Sequence, residues 1–353
     1  MSFINKWLRQ DIKNIQAYKV AKSDNMLKMD AMESPFAIHT EIMDEYVAAI
    51  KKININRYPE TSANDVKQTL RELMDIPDKL DLLLGNGSDE IIQILTLACN
   101  KDASIVSFEP SFVMYKMLAK FAGLKYHSID LDKEFEIDIE KTLAVITKIK
   151  PQIIFIAYPN NPTGNDFNKD YIKKIATITD ALVVIDEAYY AYCENSFLEE
   201  LENFENMVLI RTISKIGFAG LRLGLLIGAK ETIKQFNKLR LPYNISAINQ
   251  ASANILLKQK DIIKKNARII INQREYMRKQ LGLIQAIKVY PSSANFLLIE
   301  TTQAQELFAF LQENLILIKD FSHTKSMLNY LRITISKEED NNKLLKYIKQ
   351  FYG

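Results

Sequence analysis

Between about residues 80 and 227, short apolar runs alternate with longer segments in which apolar residues recur at helical spacing. That alternation predicts a sheet whose strands are joined by crossover helices, an α/β fold. Strands are expected at residues 104–108, 153–157, 182–185, 208–210 and 223–227, each apolar on both faces, as a strand buried between two layers must be. Residues 111–122 and 169–179 carry the helical period with few breakers. After Pro242 the pattern changes to a long helical region at 246–281, a strand at 294–299, more helix and a strand at 331–335, which is α+β. The first thirty or so residues read as helical and then irregular, with no partner evident in the large lobe. The expected organisation is an N-terminal arm (1–28), a large domain (29–240) and a small C-terminal domain (241–353).

A chain of 353 residues exceeds what one hydrophobic core serves, since cores split beyond about 250–300 residues, so two lobes fit the length as well as the pattern. The apolar fraction of 48% against 25% charged predicts folding throughout. Basic residues outnumber acidic ones by 46 to 43 and are scattered, which gives no nucleic-acid footprint and points to a small-molecule partner. No export signal is read at the N-terminus, and no stretch approaches the roughly 20 apolar residues that span a bilayer. Cys99 and Cys193 show no paired spacing, so a cytoplasmic location is expected. His39, His127 and His323 stand apart from one another and from the cysteines, and no metal site is expected.

In open α/β sheets ligands bind beyond the carboxyl ends of the strands. Residues 182–185 run into Asp186-Glu187-Ala188-Tyr189, residues 153–157 into Tyr158-Pro159-Asn160-Asn161-Pro162-Thr163-Gly164, and residues 208–210 into Arg211-Thr212-Ile213-Ser214-Lys215. An acid, an amide and an amine are thereby aimed at one crevice. That set suits a pyridine aldehyde cofactor. Lys215 supplies an amine for an imine, provided its ammonium form is destabilised. Asp186 faces the ring nitrogen and keeps it protonated, and Asn161 and Tyr189 reach the ring hydroxyl. A phosphate would sit where Gly85-Asn86-Gly87-Ser88-Asp89-Glu90 opens onto an apolar helix, at free N–H groups and the positive end of the helix dipole. Ser88, Ser214 and Arg222 add side-chain donors.

On these residues, with Leu27-Lys28-Met29-Asp30-Ala31-Met32-Glu33-Ser34-Pro35, Arg57-Tyr58-Pro59, Ala219-Gly220-Leu221-Arg222-Leu223-Gly224 and Leu331-Arg332-Ile333-Thr334, the chain resembles the fold type I pyridoxal-phosphate enzymes. The resemblance runs from about residue 18 to 335 and is strongest to the histidinol-phosphate aminotransferases. It implies a mostly parallel sheet of the seven-stranded type with helices on both faces. It also implies Lys215 as the Schiff-base lysine and proton shuttle, Asp186 as the pyridinium partner, and Asn161 and Tyr189 on the ring oxygen. Gly87, Ser88, Asp89, Ser214 and Arg222 match the phosphate site, and Phe112 falls where the family stacks an aromatic, usually Tyr, on the ring. Tyr58 matches a residue given to the partner subunit's phosphate, which implies a homodimer with shared active sites.

For substrate, the resemblance implies transfer of an amino group between glutamate and imidazole acetol phosphate, giving histidinol phosphate and 2-oxoglutarate. Arg332 sits in the motif that grips the α-carboxylate, and its planar fork serves carboxylate and phosphate alike. Tyr18 matches a further phosphate-side residue. Lys319 stands where the family usually has Arg, keeping the charge and losing the fork. The alternatives on the same fold are an aromatic or broad-range aminotransferase and a phosphothreonine decarboxylase-like enzyme. A cofactor-sensing regulatory domain is a reading of another class, for which the arm leaves no room for a helix-turn-helix.

Overall fold

The computed structural model describes residues 3–13, 15–17, 21, 23–322 and 324–353. Its centre is a seven-stranded sheet of β1 (Leu80–Asn86), β2 (Ser104–Glu109), β3 (Lys125–Asp130), β4 (Ile153–Ala157), β5 (Leu182–Asp186), β6 (Met207–Thr212) and β7 (Leu223–Ala229), in the order β1-β7-β6-β5-β4-β2-β3. Only β7 runs against the rest, pairing antiparallel with β1 and β6. The five expected strands are present. β1 and β3 were not foreseen: β1 is a leucine run with a charge at Asp81, and β3 is a largely polar edge strand.

The sheet is held by alternation between two apolar layers. Ile154, Ile156, Val183, Ile185 and Leu209 enter one core, while Ile153, Phe155, Val184, Val208 and Ile210, one residue out of phase, enter the other. Both sets are essentially solvent-free. Each such side chain contributes roughly 1.5–3 kcal/mol of burial, so a slip of one residue would exchange whole faces but leave both apolar. Two-sided burial explains the continuous apolar runs.

The C-terminal part carries a four-stranded antiparallel sheet of β8 (Lys288–Val289), β9 (Phe296–Glu300), β10 (Lys319–Asp320) and β11 (Tyr330–Thr334), ordered β10-β11-β9-β8, backed by helices Lys260–Leu281, Ala304–Glu313 and Glu338–Tyr352. The expected helical region 246–281 is two helices, Ala247–Leu256 and Lys260–Leu281. Ala253, Leu257 and Ile263 pack in the core of the large sheet, beyond residue 240, whereas Ala267, Ile270 and Met277 pack with the C-terminal sheet. Met29 and Met32 also belong to that second core, and Leu27–Lys28 pairs parallel with Ile316–Leu317. The chain therefore passes through the small core before it builds the large one.

The N-terminal segment, for which the sequence made no partner evident, touches the large lobe. Arg9 Nη2 donates to the Lys120 carbonyl at 2.9 Å, at the end of helix Met114–Phe121. A single arginine reaching a helix-end carbonyl leaves no apolar pattern to read. None of the described helices is long and apolar enough to cross a membrane.

Candidate active site

All the chemistry meets at one sheet edge because six parallel-running strands end there and the one opposed strand begins there. β1 ends at Gly87-Ser88, β2 at Pro110-Ser111-Phe112, β4 at the Asn161 turn, β5 at Asp186 and β6 at Lys215, while Arg222 immediately precedes β7. The chain steps from β3 across to the far side of β2, so the turns after β2 and β4 diverge and leave a crevice between them. A cleft of about 120 Å³, open to solvent, is lined there by Ser88, Asp89, Phe112, Asn161, Asp186, Tyr189, Ser214, Lys215 and Arg222, among others. Nine of the residues singled out in the sequence thus share one cavity.

Asp186 forms its floor. Its Oδ2 accepts from the Tyr115 hydroxyl at 2.7 Å and its Oδ1 from the Ala188 N–H at 3.1 Å. Burial pushes the carboxyl up to about 6, against the pull of those two donors. Lys215 stands on the 3₁₀ turn Ser214–Ile216, closed by Gly217 at φ +114°, a conformation only glycine adopts freely. Its Nζ donates to the Ala31 carbonyl at 3.1 Å, and its own carbonyl accepts from the Tyr192 hydroxyl at 2.6 Å. Burial first, and the positive charge of Arg332 second, draw this amine down to about 8, so an appreciable share is neutral and nucleophilic near physiological pH.

A candidate anion seat is the N-terminus of helix Ser88–Leu97, whose first-turn N–H groups have no preceding carbonyl to bond. Gly87 caps it at φ +85°, and a Cβ there would lie 2.5 Å from Arg222 Nη2. A Cβ on Gly224 would lie 2.4 Å from the Ser88 nitrogen. Both glycines therefore let strand β7 and Arg222 close on the helix end. Arg222 Nη2 is 3.3 Å from Asp89 Oδ2, and Ser214 Oγ is 3.0 Å from Thr212 Oγ1. With Phe112, Ala157, Ala188 and Met32 as apolar walls, the cleft offers an anion seat, a planar slot, a carboxylate and an amine. Those groups fit pyridoxal phosphate.

On the substrate side, Arg332 is buried. Its Nη1 donates to Asn161 Oδ1 and its Nη2 to the Asp30 carbonyl at 2.8 Å, with Phe296 5.2 Å and Phe321 5.7 Å from the guanidinium carbon. Lys319 is half-buried and lies directly across from Arg332 in the antiparallel pair β10–β11, which puts both cations on one face of the sheet. Tyr58 is not in the cleft of its own chain: it is 80% exposed and stacked on Tyr243 at 4.4 Å. Tyr18 lies outside the described residues.

Tyr115, Thr212, Met32 and the Ala31 carbonyl were not anticipated. For Tyr115 the signal was its place three residues beyond Phe112, a helical offset that sets two side chains on one face. A carbonyl at a cleft has no sequence signal at all. The conspicuous Glu187 proves to be structural: it forms a buried ion pair with Arg211 at 2.8 Å and accepts from the Phe197 N–H.

A doubly wound sheet that gathers a half-buried amine, a carboxylate and an anion seat at one edge defines the large lobe of an aminotransferase. The family model for aminotransferase class I and II matches residues 24–348, and the chain belongs to that family. It is 52% identical to a histidinol-phosphate aminotransferase of Vesicomyosocius okutanii subsp. Calyptogena okutanii, over all of this chain and 99% of that one. It is 38% identical to histidinol-phosphate aminotransferase 2 of Nitrosococcus oceani, over 98% of this chain and 97% of that one. The structure of the histidinol-phosphate aminotransferase from Clostridium acetobutylicum shares the fold, with a TM-score of 0.84 over 93% of this chain and 99% of that one at 24% identity.

Proposed function

We infer that this chain is a pyridoxal-phosphate-dependent transaminase that moves an amino group from glutamate to imidazole acetol phosphate, giving 2-oxoglutarate and histidinol phosphate. The observation that carries the chemistry is the half-buried Lys215 amine, drawn down to about 8, in the same cleft as Asp186. When bound, pyridoxal phosphate supplies an aldehyde that takes up the amino group and a pyridinium ring that takes up the electron pair left by the departing α-proton. Lys215 anchors the cofactor and carries that proton between carbon atoms on one face. Asp186 holds the proton on the ring nitrogen, Asn161 and Tyr189 serve the ring oxygen, and Phe112 covers the ring. Ser88, the Asp89 N–H, Ser214 and Arg222 hold the phosphate around the helix end capped by Gly87.

Arg332 binds the glutamate carboxylate and, in the other half of the cycle, the phosphate ester, with Lys319 as the second cation for a dianion. Tyr18 is assigned to the same phosphate by resemblance. The division into an arm (1–28), a large domain (29–240) and a small domain (241–353) is proposed as the sequence indicates, with Met29 and Met32 packing in the small core and Ala253, Leu257 and Ile263 in the large one. A second copy of the chain would cover the exposed Ile55, Tyr58 and Leu241, bringing Tyr58 to the partner's phosphate seat. We place the enzyme in the cytoplasm.

The test is the yellow absorbance of the lysine-bound cofactor. Glutamate and histidinol phosphate, added separately, should each bleach it. Bleaching by glutamate alone would leave the chemistry standing and remove the substrate, and absence of the band after adding pyridoxal phosphate would overturn the whole reading. Lys319→Gln should raise the KM for histidinol phosphate by about tenfold and leave that for glutamate within about twofold, the loss of one charge-assisted contact.

A further inference from the structure

We propose that Tyr115 is a positioning residue for transamination: its hydroxyl fixes the Asp186 carboxylate in the ionised, oriented form that keeps the cofactor's ring nitrogen protonated. This rests on the reading of the cleft as a pyridoxal-phosphate site. Tyr115 lies in helix Met114–Phe121, wholly buried, yet its hydroxyl reaches an atom of the cleft floor. Its ring is clamped from two elements. It stacks on Phe155 of β4 at 4.8 Å with the planes 3° apart, and Phe112 meets its edge at 5.6 Å and 87°. A ring held on both sides puts its hydroxyl in one place, 2.7 Å from Asp186 Oδ2.

The Ala188 N–H holds the other oxygen at 3.1 Å. With one donor fixed on each oxygen, the carboxylate cannot turn about its terminal bond without losing a hydrogen bond at a buried position. Both donors also favour the charged form, which burial opposes. The phenol itself stays protonated, because burial and the neighbouring Asp186 charge raise it well above its ordinary range, so it remains a donor at any working pH. Packing alone would be served by phenylalanine. The hydroxyl is what reaches the acid.

The experiment compares wild type, Tyr115→Phe and Phe155→Leu, each as apoprotein loaded with pyridoxal phosphate carrying ¹⁵N at the ring nitrogen. Wild type should show the resonance of a protonated pyridine. In Tyr115→Phe the resonance should move toward the neutral ring and the dissociation constant for the cofactor should rise by about tenfold, the scale of one hydrogen bond to a charged group. The half-reaction with glutamate should slow by at least about tenfold while its KM stays within about threefold. Phe155→Leu loosens the clamp but keeps the hydroxyl, and its resonance should move in the same direction but less far than that of Tyr115→Phe. An unmoved resonance in Tyr115→Phe, or the same displacement in Phe155→Leu, would overturn the proposal and leave the cofactor site intact. Failure of wild type to bind the cofactor would instead remove the site reading and this inference with it.

Discussion

Replacing Asp186 with asparagine should stabilise the apoprotein and impair the loaded enzyme. In the fold the carboxyl is fully buried and sits at about 6 instead of 3.8, so holding it ionised at neutral pH costs about 3 kcal/mol. The sign follows from proton binding. Between 3.8 and about 6 the folded chain binds this proton more tightly than the unfolded chain, so the group's contribution to stability is present at low pH and is lost as pH rises through that window. The amide of the Asp186→Asn variant would not titrate. It keeps one acceptor for the Ala188 N–H, and the Tyr115 hydroxyl can turn to accept from the amide nitrogen, so about 1 kcal/mol of hydrogen bonding is the most that is given back. Urea unfolding of the two apoproteins at pH 4.5 and 7.5 measures the difference. Asp186→Asn should gain about 2 kcal/mol on wild type between the two pH values. A difference that is flat across the window, or larger at pH 4.5, would refute the reasoning. With pyridoxal phosphate bound the order should reverse: the variant binds the cofactor more weakly and loses most of its turnover, as expected where a functional group is held against the preference of the fold.

The other expectations are independent of that one. Uptake of pyridoxal phosphate by the apoprotein should accelerate as pH rises through about 8, because the half-buried Lys215 ammonium gives up its proton there; a rate independent of pH from 7 to 9 would contradict it. Gly224→Ala drives a Cβ to 2.4 Å from the Ser88 nitrogen and 2.5 Å from the Gly87 carbon, so it should weaken cofactor binding by at least about a hundredfold or prevent folding, read by absorbance and by circular dichroism. Arg211→Met leaves Glu187 charged and buried, and thermal melting should show about 3–5 kcal/mol of lost stability; a change under about 1 kcal/mol would mean that Ser196 and the Phe197 N–H suffice.

The local pattern along the chain was enough to define the α/β class, because a strand buried on both faces must be apolar at every position, and residues 153–157 show that without ambiguity. It also brought out Asp186, Asn161 and Lys215, since Asp186 directly follows an apolar run, Asn161 and Lys215 come a few residues after one, and strand ends carry chemistry in such sheets. What local pattern omits is which side a strand joins and what a remote segment brings. β1 and β3 escaped notice because one is leucine-rich and the other is an edge with a wet face.

The tertiary structure alone decided that β7 runs antiparallel, so that Arg222, expected at the phosphate from the sequence, reaches that edge from the start of a strand. It also folded Met29–Met32 into the small core, so that Ala31 and Asp30 carbonyls seat the amine of Lys215 and the fork of Arg332. Tyr115 falls within the expected helical segment 111–122, but its hydrogen bond to Asp186 spans 71 residues. Contacts of that kind depend on two distant surfaces arriving together, and burial periodicity reports only that a side chain goes inside, never whom it meets there.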